Sequence, residues 1–230
     1  MPAGRQQDEE GGAYVDVWPI SLRPGDISGA EAESVLSEEE RQRAARFRFG
    51  EHAIRYRLCH AATRQILGRY LELPADRVEL ISESKGKPRL AGKSTLCFNL
   101  SHSGDLALLA VTSGREVGVD VEKIRFDLPV DGLARFFTDA ERERLLALSP
   151  GEKESTFFRW WTRKEAVLKA EGSGLSGGLD RLDISGCPPD LVRFPDDGQQ
   201  WWRVEDLEVE RGYAAAVAAP PGDWRIRWRS

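Results

Sequence analysis

The chain has 230 residues, 40% of them hydrophobic and 31% charged, which is an ordinary balance for a protein with one large core or two smaller ones. Its formal net charge is −5, so it lacks the basic excess that binds nucleic-acid phosphates, and we expect no nucleic-acid partner. No apolar run approaches the roughly 18 residues of a membrane span, and the N-terminus is polar, so we expect neither a membrane segment nor a signal peptide.

The first part of the chain predicts a strand followed by helices. Residues 1–12 are polar and are expected to form a flexible tail. Residues 14–20 alternate between two faces, as a strand does, and a capping box that begins at Ser37 opens a helix. Apolar residues recur on one stripe between residues 51 and 70, which predicts a longer helix.

Strands and then helices follow. Three strand patterns separated by turn residues predict an antiparallel meander over residues 96–101, 106–112 and 117–122. A capping box at Thr138 opens a helix, and residues 156–171 form a helix rich in aromatic side chains. The C-terminal segments at 201–209, 213–218 and 224–228 are strand-like, and the arginines of the last one are expected on the solvated side of an edge strand.

This order of elements predicts an α+β fold rather than the regular alternation of a doubly wound sheet. The two halves share a layout, with a divide near residues 113–116. We therefore predict an N-terminal half at residues 13–113 and a C-terminal half at residues 114–230, each with a small, mainly antiparallel sheet packed on helices.

The three cysteines, Cys59, Cys97 and Cys187, lie far apart in the sequence. No CxxC motif or His/Cys cluster accompanies them, so neither a zinc site nor a disulfide framework is indicated. A reducing cytoplasm is the simplest compartment for such a chain.

Two acidic residues stand two apart in a predicted strand. Asp120 and Glu122 therefore project from the same face. Neighbouring carboxylates repel unless a cation lies between them, and oxygen ligands suit Mg²⁺ or Mn²⁺. The same residues also fit a strand end that simply faces solvent.

The aromatic helix carries Glu165 and Lys169 on one face with Phe158 and Trp161. A carboxylate among bulky apolar groups is costly, which favours a metal or another cation beside it. The alternative is a surface Glu–Lys pair worth only about 0.2–0.5 kcal/mol.

Two further segments carry groups that can bind an anion. His102 lies between Ser101 and Ser103 at a strand end, and Lys87 and Pro88 belong to a basic Gly-Pro turn. Either segment could equally be an ordinary turn or a solvated loop. The sequence has no Walker loop, no GxGxxG and no GxSxG elbow, so common nucleotide folds and serine hydrolases are not indicated.

Together and in this order, these segments resemble the 4′-phosphopantetheinyl transferase superfamily, in particular the surfactin-synthetase-activating type with two similar halves in one chain. The resemblance covers about residues 37–183. The resembling residues are Gly86-Lys87-Pro88, Phe98-Asn99-Leu100-Ser101-His102-Ser103, Gly118-Val119-Asp120-Val121-Glu122, Phe136-Phe137-Thr138, Trp161-Thr162-Arg163-Lys164-Glu165-Ala166-Val167-Leu168-Lys169 and Gly172-Ser173-Gly174-Leu175.

The resemblance implies two α/β halves in a pseudo-twofold arrangement, with the active site in the groove between them. It implies transfer of the 4′-phosphopantetheine arm of coenzyme A to a serine hydroxyl of an apo acyl or peptidyl carrier protein of secondary metabolism. The reaction would release adenosine 3′,5′-bisphosphate and need Mg²⁺, with Mn²⁺ as a possible substitute. One groove would suffice, so we expect a monomer.

Site residues follow from the matching motifs. Asp120, Glu122 and Glu165 would be the metal ligands. Glu165, or a water that it holds, would be the base for the incoming serine, and Lys169 would contact the phosphate. Coenzyme A would be held by Arg43, Arg55, Lys87, Pro88, Ser101 and His102, with His102 near its 3′-phosphate. Glu40 and Tyr56 depart from the pattern, because relatives often have a basic and a small hydroxyl residue there.

The segment of residues 124–137, which follows the acidic strand and contains Phe126, Phe136 and Phe137, is the candidate carrier contact. At least one of the last two phenylalanines is expected in the core. Two alternatives to the transferase are a scaffold that binds coenzyme A and carrier without turnover, and a Mg²⁺-dependent phosphohydrolase. The intact set of Asp120, Glu122, Glu165 and Lys169 favours an enzyme over the scaffold.

Overall fold

The computed structural model describes residues 13–23, 29–82, 86–172, 178–186, 190–194 and 200–230. Its helices are α1 (Gly29–Val35), α2 (Glu38–Ala45), α3 (Gly50–Leu71), α4 (Val130–Leu133), α5 (Asp139–Leu146) and α6 (Glu152–Glu171). Its strands are β1 (Tyr14–Ser21), β2 (Leu80–Ser82), β3 (Pro88–Leu90), β4 (Leu96–Ser103), β5 (Leu106–Ser113), β6 (Gly118–Lys123), β7 (Asp190–Val192), β8 (Trp202–Asp206), β9 (Tyr213–Ala219) and β10 (Arg225–Trp228). The predicted tail at residues 1–12, Cys187 and motif residues 173–175 lie outside the described residues.

The strands form two four-stranded sheets. The first has the order β10-β1-β5-β4 and the second β6-β9-β8-β7, while β2 and β3 pair separately. Every pairing except β1 with β10 is antiparallel. The predicted α+β fold with small, mainly antiparallel sheets is confirmed.

Hydrophobic clusters stack the molecule in layers. Helices α1 and α3 cover the outer face of the first sheet, and α6 covers the outer face of the second. The inner faces pack on each other, with Val15, Leu108, Val119 and Val217 among the buried residues between the sheets. Strand β5 is buried on both faces, which explains its continuous run of apolar residues.

The predicted meander is wrong for its third strand. Strands β4 and β5 pair as expected, but β6 opens the second sheet, because β1 occupies the free edge of β5. Strand β6 instead lies against the side chains of β4, as described below.

The last strand returns to the first sheet. Strand β10 pairs in parallel with β1 at its edge, so the expected edge position is confirmed. The expected solvated arginine face is partly wrong, because Arg227 donates from Nε to Oδ1 of buried Asp16 at 2.6 Å. Since β10 crosses back, the division of the chain at residues 113 and 114 stays a prediction.

The predicted helix signals hold where the structure describes them. Both capping boxes form, at Ser37 with Glu40 and at Thr138 with Glu141. Helix α6 ends at Gly172, whose φ of 84° suits glycine. No helix in the described part of the chain is long and apolar enough to cross a membrane.

Candidate active site

A single glycine lets α6 approach β6 closely. A Cβ added to Gly118 would lie 2.0 Å from the carbonyl oxygen of Ala166 and 2.4 Å from the amide nitrogen of Ala170. Any side chain there would push the helix outward. The glycine therefore brings the helix face that carries Glu165 and Lys169 onto the strand that carries the predicted acidic pair.

The predicted acidic side chains lie near one another beneath this helix, since the charges of Asp120 and Glu122 both act on Glu165. Asp120 is 3% exposed and Glu165 is 7% exposed, while Glu122 is half-buried. Lys169 donates from Nζ to Oδ1 of Asp120 at 2.6 Å and to Oγ of Ser101 at 2.9 Å. One ammonium group therefore stands among three carboxyl groups.

Two buried carboxylate oxygens in this cluster lack hydrogen-bond partners. They are Oδ2 of Asp120 and Oε1 of Glu165. Burying a charged oxygen without a partner is costly, so such an atom calls for an explanation, of which a bound ion or water is one. A cation beside these two oxygens would form the most favourable electrostatic contacts in the cluster.

Electrostatics agree with this picture. Burial, and then the charge of Asp120, raises the pKa of Glu165 to about 7, although Lys169 opposes the rise. Burial also raises the pKa of Glu122, against a hydrogen bond from Ser103 that lowers it. Both carboxyl groups hold protons more tightly than usual because burial disfavours their charged form, and the charge of Asp120 adds to the effect.

Among the residues that the structure describes, no three His, Cys, Asp or Glu side chains form a group that holds a metal ion as they stand. The chemistry of the donors nevertheless fits a hard divalent cation, since they are carboxylate oxygens, two of which are buried and free. The acidic cluster thus has the donor type and the negative charge that suit a metal ion. Its side chains are not already arranged as a metal-binding group.

Strand β4 holds this cluster from the side of the first sheet. Its alternate residues accept backbone N–H bonds along the edge of β6: Asn99 from Val119 at 2.9 Å, Ser101 from Val121 at 3.3 Å and Ser103 from Lys123 at 3.1 Å. The Ser101 hydroxyl donates to Asp120 at 2.8 Å, and the Ser103 hydroxyl donates to Glu122 at 2.7 Å. The sequence analysis gave Ser103 no role, although its spacing of two from Ser101 was visible.

His102 points the other way from these serines and lines a cavity of about 290 Å³. The cavity wall consists of Phe47, His52, Arg55, Tyr56, His102, Ser103 and Gly104. Arg43 stacks over the ring of Tyr56 with 5.7 Å to its centroid. Arg55 and His102 thus line one cavity and Arg43 lies against its wall, while their contact with coenzyme A stays a prediction.

Basic side chains line the cavity, but carboxylates already engage one of them. Partial burial, and then the charges of Lys169, His60 and Arg55, lower the pKa of His102. Arg55 is held by Asp105 and by Glu51, each 2.6 Å from its Nη2. An anion in the cavity would share the Arg55 guanidinium with these two carboxylates and would favour the protonated form of His102.

Lys87 and Pro88 do not line this cavity. Lys87 donates from Nζ to Glu116 at 2.9 Å and to the Ala170 carbonyl at 3.4 Å, and it lines a separate cavity of about 90 Å³. Pro88 pairs with Ser82 in the two-stranded sheet. Two of the six predicted coenzyme A contacts therefore stand apart from Arg43, Arg55 and His102.

The departure at Glu40 has a structural reason. Its carboxylate accepts bonds from Arg64 at 2.7 Å, from His60 at 3.1 Å and from the backbone N–H of Ser37 at 2.8 Å. Although burial opposes it, these hydrogen bonds lower the pKa of Glu40 to about 2. Glu40 therefore fixes the start of α2 against α3.

Comparison with known proteins gives matches along most of the chain. A family model described as 4′-phosphopantetheinyl transferase, N-terminal, matches residues 23–114, and one described as 4′-phosphopantetheinyl transferase superfamily matches residues 116–218. The 4′-phosphopantetheinyl transferase HetI of Nostoc sp. is 37% identical over 93% of this chain and 91% of its own length. Psf-1 of Bacillus pumilus is 34% identical over 84% and 81%, and Sfp of Bacillus subtilis is 31% identical over 83% and 85%; both carry the same enzyme name.

Proposed function

The chain belongs to the 4′-phosphopantetheinyl transferase superfamily and is a 4′-phosphopantetheinyl transferase, and we propose that its donor is coenzyme A and its acceptor a serine hydroxyl of an apo carrier protein. The second product would be adenosine 3′,5′-bisphosphate. The carrier would be an acyl or peptidyl carrier of secondary metabolism, by family resemblance. The enzyme would act as a monomer in the cytoplasm, since both halves of the groove belong to one chain.

The free carboxylate oxygens of Asp120 and Glu165 carry this proposal. With Glu122 they would hold Mg²⁺, or Mn²⁺ in its place. Bound there, the ion would supply electrostatic stabilisation of the negative charge on the pyrophosphate.

Glu165 is proposed as the base. Without a bound cation the pKa of Glu165 is about 7, whereas a cation beside it would favour the carboxylate, which is the form that accepts a proton. It would take the proton of the carrier serine, either directly or through a water that it holds. The serine belongs to the partner, so this chain needs no nucleophile of its own.

Lys169 is proposed to stabilise the leaving phosphate. Its side chain is 27% exposed, whereas that of Asp120 is 5% exposed, so the ammonium group faces the open side of the cluster. A fixed positive charge there would favour the charge that develops on the leaving group.

Arg43, Arg55 and His102 are proposed to bind the adenosine end of coenzyme A, with His102 near the 3′-phosphate. Arg55 and His102 line one cavity and Arg43 lies against Tyr56 in its wall, and their N–H groups are donors of the kind that a phosphate accepts. Lys87 and Pro88 are left out of this proposed site, because Glu116 and a helix carbonyl already engage the lysine.

The segment of residues 124–137 is proposed as the carrier contact. Phe126 is 67% exposed directly after the acidic strand, beside the exposed Arg125, whereas Phe137 is buried in the core. The chain is acidic overall, so attraction to an acidic carrier must come from such a local patch.

Intact-mass measurement of an apo carrier tests the proposal. With coenzyme A and Mg²⁺ the carrier should gain one phosphopantetheine group, and adenosine 3′,5′-bisphosphate should appear in equal amount. Asp120→Ala should abolish the gain while its circular dichroism stays native, and Asp76→Ala, which alters an exposed carboxylate, should leave it unchanged. Hydrolysis of coenzyme A without carrier would establish the phosphohydrolase instead, and no reaction with any carrier would establish the scaffold.

A further inference from the structure

The two faces of strand β4 contact different parts of the molecule. His102 points into the cavity of the first half, whereas Asn99, Ser101 and Ser103 point at the edge of β6. Spacings of two on both strands match, so each of these three side chains meets one backbone N–H of β6. The contact between the two sheets at this edge is made by side chains rather than by a backbone ladder.

Two of the three side chains have a second contact. Each serine accepts one backbone N–H and passes its single proton to a carboxylate: Ser101 to Oδ1 of Asp120 and Ser103 to Oε2 of Glu122. Asn99 contacts neither carboxylate within the described residues. The hydroxyl direction is fixed, because the accepted N–H occupies one side of each oxygen.

These bonds decide which carboxylate oxygens stay free. Oδ1 of Asp120 receives Ser101 and Lys169, and Oδ2 is left buried without a partner. Asp120 and Glu122 repel each other, and the serine bonds, together with Lys169 on Asp120, oppose a rotation that would separate the two side chains. A hydrogen bond from a hydroxyl to a carboxylate is short and strong enough to hold one rotamer.

We infer that Ser101 and Ser103 are positioning residues that orient Asp120 and Glu122 for the cation. This inference rests on the proposed function and deepens it, since it assigns the metal ligands a support from the other half of the molecule. It also gives Ser101 a role different from coenzyme A contact, because its hydroxyl is already bonded to Asp120, Lys169 and Val121. Ser103 lines the cavity as well, so one strand borders both the cavity and the acidic cluster.

The test is a calorimetric titration of the coenzyme-A-saturated protein with Mg²⁺, with no carrier present and therefore no turnover. Ser101→Ala and Ser103→Ala should each weaken Mg²⁺ binding about 10- to 100-fold, as the loss of a partner of a metal ligand does. Ser103→Thr keeps the hydroxyl and should restore binding to within about 3-fold of wild type.

Asn99→Ala is the matched control. It removes one bond to the β6 edge without touching a carboxylate, so it should lower the melting temperature and leave Mg²⁺ affinity near wild type. Mg²⁺ affinity in both serine variants equal to that of Asn99→Ala would overturn the inference while the proposed function stands. A wild-type protein that binds no Mg²⁺ with coenzyme A would overturn the proposed metal site and this inference with it.

Discussion

Lys164 and Glu165 are neighbours on α6, both charged and both buried, and yet their surroundings differ. Lys164 donates to the carbonyl oxygens of Leu179 and Leu182 and pairs with Oε2 of Glu141 at 2.7 Å. Both partners of that ion pair are fully buried. All three N–H donors of the ammonium group are therefore used.

Glu165 shows the opposite pattern. One of its oxygens has no partner, and like charges from Asp120 and Glu122 act on it. A buried charged group with all its hydrogen bonds made stabilises the packing of the elements that it joins. A buried charged group with too few hydrogen-bond partners is a candidate for binding a ligand or ion. Two adjacent residues thus contrast a charge that stabilises the fold with one that we propose holds a cation.

Removing the buried Lys164–Glu141 ion pair should cause the largest loss of stability. Lys164→Met leaves Glu141 buried beside an apolar group, so the free energy of unfolding should fall by about 3–5 kcal/mol in a urea titration. Lys153→Met is the control, because its partner Asp131 is 73% exposed, and the loss there should stay below about 1 kcal/mol. Equal losses of unfolding free energy in the two variants would mean that the buried ion pair does not stabilise the fold more than an exposed one.

Pushing α6 away from β6 should have a smaller effect on stability and a large effect on the rate of carrier modification. Gly118→Ala drives a methyl group into the backbone of α6 and should cost about 1–3 kcal/mol. The displaced Glu165 and Lys169 should also slow carrier modification, measured by intact mass, by about 10²-fold.

Gly50→Ala provides the comparison for that variant, since nothing lies within 4 Å of a Cβ at the start of α3. It should be neutral or slightly stabilising. A Gly118→Ala protein with wild-type stability and rate would show that close packing of α6 on β6 does not position the site.

Periodicity in the sequence was enough to predict which side chains share a face. Asp120 and Glu122 two apart on a strand, and Glu165 and Lys169 four apart on a helix, do lie together on their elements. Capping boxes likewise located the starts of two helices. These signals are local, and local geometry is what spacing encodes.

Contacts between distant segments could not be predicted in this way. The support of Glu122 by Ser103 depends on β4 lying across the edge of β6, and the two strands belong to different sheets. The engagement of Lys87 by Glu116 and the return of β10 to β1 likewise join residues far apart in the chain. Spacing within one element carries no information on such packing, so the sequence predicted the acidic side chains of the proposed site but not the hydroxyl groups that contact them.

The central claim is that Glu165 is a buried carboxylate without a sufficient counter-charge. Its pKa of about 7 lies above the ordinary value of 4.5, so the folded state binds this proton more tightly than the unfolded state. The stability it contributes is complete below pH 4.5 and is lost as the pH rises through 7. At pH 8 the folded protein carries the full cost of the buried charge.

Urea unfolding of wild type and Glu165→Gln at pH 5 and pH 8 measures this cost directly, since other titrating groups cancel in the difference. We predict that Glu165→Gln is more stable than wild type by about 1–2 kcal/mol at pH 8 and nearly equal to it at pH 5. Coenzyme A with Mg²⁺ should then stabilise wild type more than the variant. A Glu165→Gln protein that is less stable than wild type at pH 8 would mean that the carboxylate already has its partner, and it would contradict the proposed metal site.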